Sequence, residues 1–367
     1  MGPHNKAHKD RPGWLLDVPE RADEPNSGLR PLLRKLLRGE DLRRDEAAGL
    51  LDGLLDGEAT DSQIGATLVA LAAKGETVEE LAGMAAAMRS RAVRIQPLQV
   101  NFIDTAGTGS SFAKTFNVST AAAFVIAGAG LPVAKHGSRA ATSKSGSADV
   151  LSALGVNVSA SPQCTERCLA EIGICFMFAP LYHGATARVA GIRRELGVHT
   201  TFNLLGPLSN PAGAPRQLIG VWHKALVEPM ARTLVALGNE QAWVVHGADG
   251  LDEITLATET FVAEARTGDI RIFEIVPEDF GLQRASIGHL SGGNATENAQ
   301  IITSVLEGLR RDEARDLVLL NAASALFVGG IGNDLVDAMR LAEQSIDSGA
   351  AMQKLAQLAE RTNAPGT

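Results

Sequence analysis

Aromatic residues are scarce in this chain, at 4% of 367 positions, while alanine and glycine supply much of an otherwise ordinary hydrophobic fraction of 45%. Small side chains in that proportion suit helices packed closely around a sheet. Cysteine is scarcer still, with Cys164, Cys168 and Cys175 the only three. Cys164 and Cys168 are spaced to share a helix face, but two thiols without nearby histidines make a poor zinc site, and small buried residues are the better reading. The odd count and the lack of a secretory hydrophobic region fit a reducing compartment, so a cytoplasmic location is expected. Apolar runs are too short, and too rich in glycine and alanine, to span a bilayer. Lys6 stands where a myristoylation signal needs serine or threonine, so no membrane partner is expected.

Positive charge is not clustered either. The formal net charge is −8 with lysine and arginine scattered, which leaves no nucleic-acid footprint. Two nucleotide fingerprints are missing as well. After Gly107-Thr108-Gly109 a dinucleotide-binding turn needs a glycine where Phe112 stands, and no GxxxxGK[ST] occurs. Neither a Rossmann cofactor nor a P-loop is indicated.

What the chain has instead is a pair of glycine- and hydroxyl-rich loops between Asp104 and Asp149. The first runs from Gly107-Thr108-Gly109 to Asn117-Val118-Ser119-Thr120 and precedes a helical, alanine-rich run from Ala121 to Ala129. Glycines let backbone N–H groups approach a bulky anion, and a helix start presents unpaired N–H groups at the positive end of its dipole. The second loop is Lys135-His136-Gly137-Ser138-Arg139, followed by Thr142, Ser143, Ser145 and Ser147, and adds two cations and several hydroxyls. Either loop alone reads equally well as an ordinary turn. Both in one short stretch point to a ligand with more than one phosphate.

The rest of the chain falls into three parts. Residues 1–27 form a polar extension, expected to be flexible, whose one apolar cluster is Trp14-Leu15-Leu16. Residues 28–96 repeat apolar positions at three- and four-residue steps, the later segments starting at Asp or Thr as N-caps, and are expected to form a small all-helical domain, joined by helices around 185–200. Residues 97–360 alternate strands with helices. Val100–Asp104, Leu131–Ala134, Ile174–Phe178, Gln217–Val221 and Ala242–Val245 are the strand candidates. An antiparallel hairpin is expected over Thr260–Ile275, and helices from Glu297 onward, interrupted at Val328-Gly329-Gly330. The expected fold class is α/β, a small helical domain beside a large domain with a mostly parallel sheet. Ligands in such sheets bind beyond the carboxyl ends of the strands.

Three further constellations carry possible chemistry. Asp249-Gly250-Leu251-Asp252-Glu253 follows a strand and suits Mg²⁺, which takes a few protein oxygens and completes its shell with water and phosphate; a solvated acidic turn is the alternative. His183 and a helix from about Ala185 to Leu196 come next. That helix projects either Arg193 or Arg194, but not both, toward a cleft, where it holds a carboxylate or pairs at the surface. Phe202–Pro211 reads as a turn-rich loop in which Gly206 allows a planar ligand to approach, or serves as a hinge.

Taken together, TAGTG…TFNVST, VAKHGSRAATSKSGSADVL, IRRELG…TFNLLGPLSNPAG and VHGADGLDE resemble the anthranilate phosphoribosyltransferase family, from about Leu29 to Leu358. That family belongs to a class of nucleoside phosphorylases and phosphoribosyltransferases with a small helical and a large α/β domain. The resemblance implies a homodimer in tryptophan biosynthesis, binding Mg²⁺ and 5-phosphoribosyl 1-diphosphate (PRPP), and transferring phosphoribosyl to the amine of anthranilate. It implies that Gly107, Ser110, Ser111, Thr115, Asn117, Val118, Ser119 and Thr120 surround the diphosphate. Lys135, His136, Gly137, Arg139, Ser143 and Ser147 would line the rest of the PRPP site. Ser119, Asp252 and Glu253 would hold metal, and Gly107, Ser138, His183, Arg193 and Gly206 the acceptor. Lys135 and Arg193 would carry the catalytic roles, Lys135 on the departing charge and Arg193 on the acceptor carboxylate.

The chain also departs from the family pattern. The usual GTGGDG reads Gly107-Thr108-Gly109-Ser110-Ser111-Phe112, which implies altered PRPP and metal handling. KHGN ends in Ser138, and an HPAM-like run reads His183-Gly184-Ala185-Thr186. These changes keep open a different aromatic acceptor, or a non-catalytic binding homologue.

Overall fold

The computed structural model describes residues 28–109, 113–140 and 144–364. The extension over residues 1–27 lies outside the described residues, as do Ser110, Ser111, Phe112 and Ser143. From the amino end come α1 (Leu29–Leu37), α2 (Arg44–Leu55), α3 (Asp61–Lys74) and α4 (Val78–Arg91). Then follow β1 (Ile103–Gly107), α5 (Val118–Gly128), β2 (Val133–Gly137), α6 (Ser147–Ala153), α7 (Pro162–Ile172), β3 (Ile174–Phe178) and α8 (Ala179–Tyr182). Next are α9 (Ala187–Leu196), α10 (Thr201–Leu208), β4 (Arg216–Gly220), α11 (Val227–Ala236), β5 (Gln241–Gly247), β6 (Thr260–Arg266) and β7 (Asp269–Ile275). The chain closes with α12 (Ala295–Leu306), α13 (Glu313–Val328), α14 (Leu335–Asp347) and α15 (Ala350–Thr362). Among the described residues these divide into two compact units, residues 28–91 with 183–205, and residues 92–182 with 206–364.

In the first unit the helix starts are written in the sequence. Thr60 accepts the N–H of Gln63 at 3.2 Å while Gln63 returns its side-chain oxygen to the N–H of Thr60 at 2.8 Å, a reciprocal cap that opens α3. Thr77 and Glu80 repeat the device at α4. Glu80 is fully buried, and its carboxylate accepts the Leu42 N–H at 2.9 Å and the Lys74 ammonium at 2.9 Å. A buried carboxylate so completely bonded fixes the α3–α4 turn against the segment before α2. Gly83 lets α2 and α4 close up, since a Cβ there would overlap the carbonyl oxygen of Arg44.

The second unit holds one seven-stranded sheet in the order β3-β2-β1-β4-β5-β6-β7. Pairings from β3 through β5 are parallel, and β6 and β7 add an antiparallel hairpin. Its turn is Thr267-Gly268, both at positive φ (48° and 93°), the backbone that a two-residue hairpin needs. Helix α5 reads VSTAAAFVIAG and is buried nearly all round, because α13, α14 and α15 pack over it. The thiols of Cys164, Cys168 and Cys175 are free and buried in the same core, as small apolar residues.

Two expectations are corrected. Strands β1 and β2 do not end at Asp104 and Ala134 but run on to Gly107 and Gly137, so Lys135, His136 and both glycines are strand residues. Their polar character hid this, since a central parallel strand is expected to be uniformly apolar. Phe202–Pro211 is not mainly loop, because Thr201–Leu208 is helical. Pro207 is its penultimate residue, where a missing N–H removes one bond just as the helix ends.

Gly83→Ala is expected to lower stability by about 1–3 kcal/mol through the α2–α4 clash. Gly49→Ala, where among the described residues nothing beyond the helix's own backbone lies within 4 Å of the new methyl, should raise it by about 0.4–1 kcal/mol. Urea unfolding of both variants checks the pair.

Candidate active site

Order β3-β2-β1-β4 puts the topological switch point between β1 and β4, which both end in glycine, Gly107 lying in register with Gly220. The two glycines form a floor for the acidic turn. A Cβ on Gly220 would overlap the carbonyl oxygen of Asp252, and one on Gly107 would lie 3.6 Å from Asp252 Oδ2. Asp249 does not share the site with its neighbours. Its carboxylate accepts the Thr255 hydroxyl at 2.6 Å and the Leu251 N–H at 3.2 Å, so it braces the turn from within.

Glu253 reaches the first turn of α5, where Oε1 accepts the Ser119 N–H at 3.2 Å. Its Oε2 is withdrawn from solvent and has no partner among the described residues. Burial, with the Asp252 charge beside it, pushes the Glu253 carboxyl up to about 8. A helix N-terminus carries positive potential, so a carboxylate there marks where an anion, or a cation bridging to one, is favoured. Among the described residues no three His, Cys, Asp or Glu side chains gather to hold a metal alone. A Mg²⁺ ion held by one or two carboxylates completes its shell with water or ligand oxygens.

The remaining residues of the first loop are placed by that helix. Val118 is buried with its N–H on the Phe116 carbonyl at 2.7 Å, and Thr120 donates its N–H to the Asn117 carbonyl at 3.1 Å. Asn117 sits at the N-cap but does not cap. Its amide donates to the Ser145 carbonyl at 3.3 Å and its oxygen accepts from Asn298 at 2.9 Å, which ties both loops to α12. Gly292 covers the Thr115 carbonyl, 2.6 Å from where a Cβ would stand.

Between β1 and β2 the ladder lapses beyond Ile103 and Val133, whereas β1–β4 and β2–β3 each run for five pairs. Side chains bridge the gap. Asp104 Oδ1 accepts the His136 N–H at 3.1 Å, and Lys135 Nζ donates to the Thr105 carbonyl at 2.5 Å and lies 3.4 Å from Ser119 Oγ. Both ionisable groups are buried. Burial lifts the Asp104 carboxyl to about 6, against the Asn210 amide and the Lys135 charge, and burial pulls the Lys135 ammonium down to about 8. Lys135 is therefore a cation inside the sheet, set against Ser119, and not part of a loop. Arg139 is no bare cation either, since it pairs with Asp149 at 2.8 Å and lies 5.6 Å over the Phe178 ring.

Gly137 is required where it stands, because a Cβ would overlap Ser147 Oγ and come within 2.9 Å of the Phe176 ring. The Ser147 hydroxyl donates to the Ser138 carbonyl at 3.3 Å, and the Ser138 side chain is exposed. Asp149 collects the N–H groups of Ala140 and Gly146, each at 3.0 Å. Sequence reasoning passed over Asp149, though an acid three residues past Gly146 has the capping-box spacing. It also passed over Asp104, which as one acid in a strand gave no signal.

In the helical unit the two arginines differ in exposure and bonding. Arg194 is exposed, while Arg193 is half-buried, with Nε donating to Thr200 Oγ1 and Nη2 to Asn203 Oδ1, each at 3.1 Å. Its guanidinium lies 5.5 Å over the Phe202 ring. His183 is buried, and its carbonyl accepts the N–H and hydroxyl of Thr186 at 3.0 and 2.8 Å. Gly206 lies within α10, and beyond its own helix backbone no atom of the described residues is within 4 Å of where its Cβ would be.

Comparison with known proteins agrees with this architecture. Residues 99–352 match the glycosyl transferase family α/β domain and residues 30–92 its helical bundle domain. The chain is 52% identical over 336 residues to an anthranilate phosphoribosyltransferase of Rhodopseudomonas palustris, covering 92% of this chain and 98% of that one. The solved anthranilate phosphoribosyltransferase of Thermus thermophilus superposes with a TM-score of 0.86 at 39% identity, over 90% of this chain and 99% of that one. The Saccharomyces cerevisiae enzyme, solved in complex with PRPP and Mg, gives 0.84 at 27% identity, over 92% and 98%.

Asp104→Ala strands the Lys135 charge inside the sheet and is expected to cost about 3–5 kcal/mol in denaturant unfolding. Asp104→Asn removes the same charge but keeps an acceptor for the His136 N–H, so it should recover only the hydrogen-bond share of that cost, about 1 kcal/mol.

Proposed function

The chain belongs to the anthranilate phosphoribosyltransferase family, and we propose that it transfers the phosphoribosyl group of PRPP to anthranilate, giving N-(5-phosphoribosyl)anthranilate and diphosphate. The observation that carries this is the acidic turn lying on Gly107 and Gly220, which delivers Glu253 to the first turn of α5. That arrangement sets hard anionic oxygens beside a helix N-terminus, the chemistry a magnesium diphosphate needs.

Ser119, Asp252 and Glu253 would hold Mg²⁺. The Glu253 oxygen that lacks a partner supports that fit. When bound, the ion would neutralise charge on the diphosphate. The α5 N-terminus and residues Gly107, Thr115, Asn117, Val118, Ser119 and Thr120 would cradle the leaving group. His136, Gly137, Arg139 and Ser147 would line the rest of the PRPP site. Lys135, against Ser119, would act as a fixed positive potential on the charge that develops as diphosphate departs. The anomeric carbon then gains oxocarbenium character and the neutral amine attacks its opposite face, shedding its proton late, so a strong general base is not essential. Arg193 would hold the acceptor carboxylate, with His183, Ser138 and Gly206 in supporting roles. Residues 28–96, joined by helices around 185–200, would serve as the helical domain, and residues 97–360 as the PRPP-binding domain. A homodimer, a cytoplasmic location and a place in tryptophan biosynthesis belong to the same proposal.

Anthranilate fluorescence is expected to fall only with protein, PRPP and Mg²⁺ together. Arg193→Ala should raise KM for anthranilate by about 10–100-fold, the worth of a hydrogen-bonded charge, and leave KM for PRPP unchanged. Mg²⁺-dependent PRPP binding without anthranilate loss would point to another aromatic acceptor, and no PRPP binding would sink the transfer reading.

Mg²⁺ must bind the ionised form of Glu253, whose carboxyl stands at about 8 in the metal-free protein. Apparent Mg²⁺ affinity, followed by calorimetry, should therefore rise about tenfold per pH unit toward that value and level off above it. Glu253→Gln should abolish this slope.

A further inference from the structure

The last turn of α9 and the first turn of α10 build a small apparatus around Arg193. Gly197, at positive φ (62°), reverses the chain after α9. Thr200 then opens the next helical turn, accepting the Asn203 N–H on its carbonyl at 2.8 Å. Asn203 returns its Oδ1 to the Thr200 N–H at 3.1 Å, so one amide oxygen caps the turn and holds Arg193 Nη2 at once. With Thr200 Oγ1 on Nε, the side-on edge of the guanidinium is taken. Of its five N–H groups, the two on Nη1 and one on Nη2 remain, a fork that faces end-on and matches a carboxylate. Both partners are neutral, and no carboxylate pairs with Arg193 among the described residues. The full cationic charge is left for a ligand.

This turn is itself anchored. Thr201 donates its hydroxyl to Glu76 Oε1 at 2.5 Å. Glu76 lies between α3 and α4, in the turn that the buried Glu80 fixes through Lys74 and the Thr77 N–H. A chain of bonds thus runs from a buried carboxylate to the residues that orient Arg193.

We propose that Asn203 and Thr200 are positioning residues that select which edge of Arg193 meets the acceptor carboxylate, and that Glu76 holds their turn in register. The inference rests on the reading of Arg193 as the acceptor's carboxylate site, and deepens it. Neutrality at residue 203 is the specificity element. An aspartate there keeps the shape and the hydrogen bond but places a permanent carboxylate on the arginine, in competition with the substrate's own.

The test uses the full chain, with KM measured separately for anthranilate and for PRPP. Asn203→Asp is expected to raise KM for anthranilate about as much as Arg193→Ala does, tenfold or more on the worth of a charge-assisted pair. KM for PRPP should not change, and the unfolding midpoint should stay at or above that of the parent, because an ion pair has been added. Aniline, which lacks the carboxylate, should be used equally poorly by parent and variant. Glu76→Gln, which retains an acceptor for Thr201, should leave KM for anthranilate near the parent value, while Glu76→Ala should raise it. If Arg193→Ala leaves KM for anthranilate unchanged, the underlying reading fails. If Arg193→Ala raises it and Asn203→Asp does not, the positioning inference alone is overturned. Should Glu76→Ala fail to fold, Asn203→Asp and Asn203→Ala decide the matter, the alanine variant being expected to raise KM less than the aspartate.

Discussion

The site hangs on two ionisable side chains that replace backbone pairing inside a sheet. Beyond Ile103 and Val133, β1 and β2 no longer share a ladder, and Asp104 and Lys135 bridge them, one to the His136 N–H and the other to the Thr105 carbonyl. Burying two charges is costly, and hydrogen bonds offset that cost only while both partners are present. The Lys135 ammonium comes to rest against Ser119, and Ser119 stands in the first turn of the helix that meets Glu253. Strand geometry, helix position and acidic turn are thereby coupled through a few bonds. A defect at Asp104 would propagate to all three.

The chemistry-bearing stretches were legible because they break the rules that ordinary elements follow. Two glycine-rich segments before helices, and adjacent acids after a strand, have few structural explanations in combination, and they do converge on the carboxyl ends of β1, β2 and β4. Caps such as Thr60–Gln63 and Thr77–Glu80 announced the helical unit for the same local reasons that form it. Less legible was whatever depended on a partner distant in sequence. Lys135 and His136 looked like loop residues because nothing local says that Asp104 waits across a gap. The bracing role of Asp249 was hidden because Thr255, its partner, lies past the motif. Proline and glycine at Gly206-Pro207 spoke for a loop, and the helix forms because the proline comes at its end.

Electrostatic character also divides between local and global scales. The chain is acidic overall, yet the α/β unit sets a buried ammonium beside a helix N-terminus, and the helical unit separately holds a half-buried guanidinium with no carboxylate partner among the described residues. Surface acids keep polyanions from binding non-specifically, while oriented local charges admit a small anion of matching shape. Exposed Arg139 is paired with Asp149, whereas half-buried Arg193 is held by neutral partners.

The glycine pair at the ends of β1 and β4 has a bearing on heredity. Every single substitution at Gly220 introduces the same first carbon, and that atom collides with main chain, not with a side chain that could turn aside. No choice of amino acid at that position offers a milder version of the change. A lineage descending from this sequence can therefore alter how the acidic turn behaves by exchanging Asp252 or Glu253, but Gly220 beneath them is closed to gradual exploration. Novelty at this corner of the molecule has to enter from above.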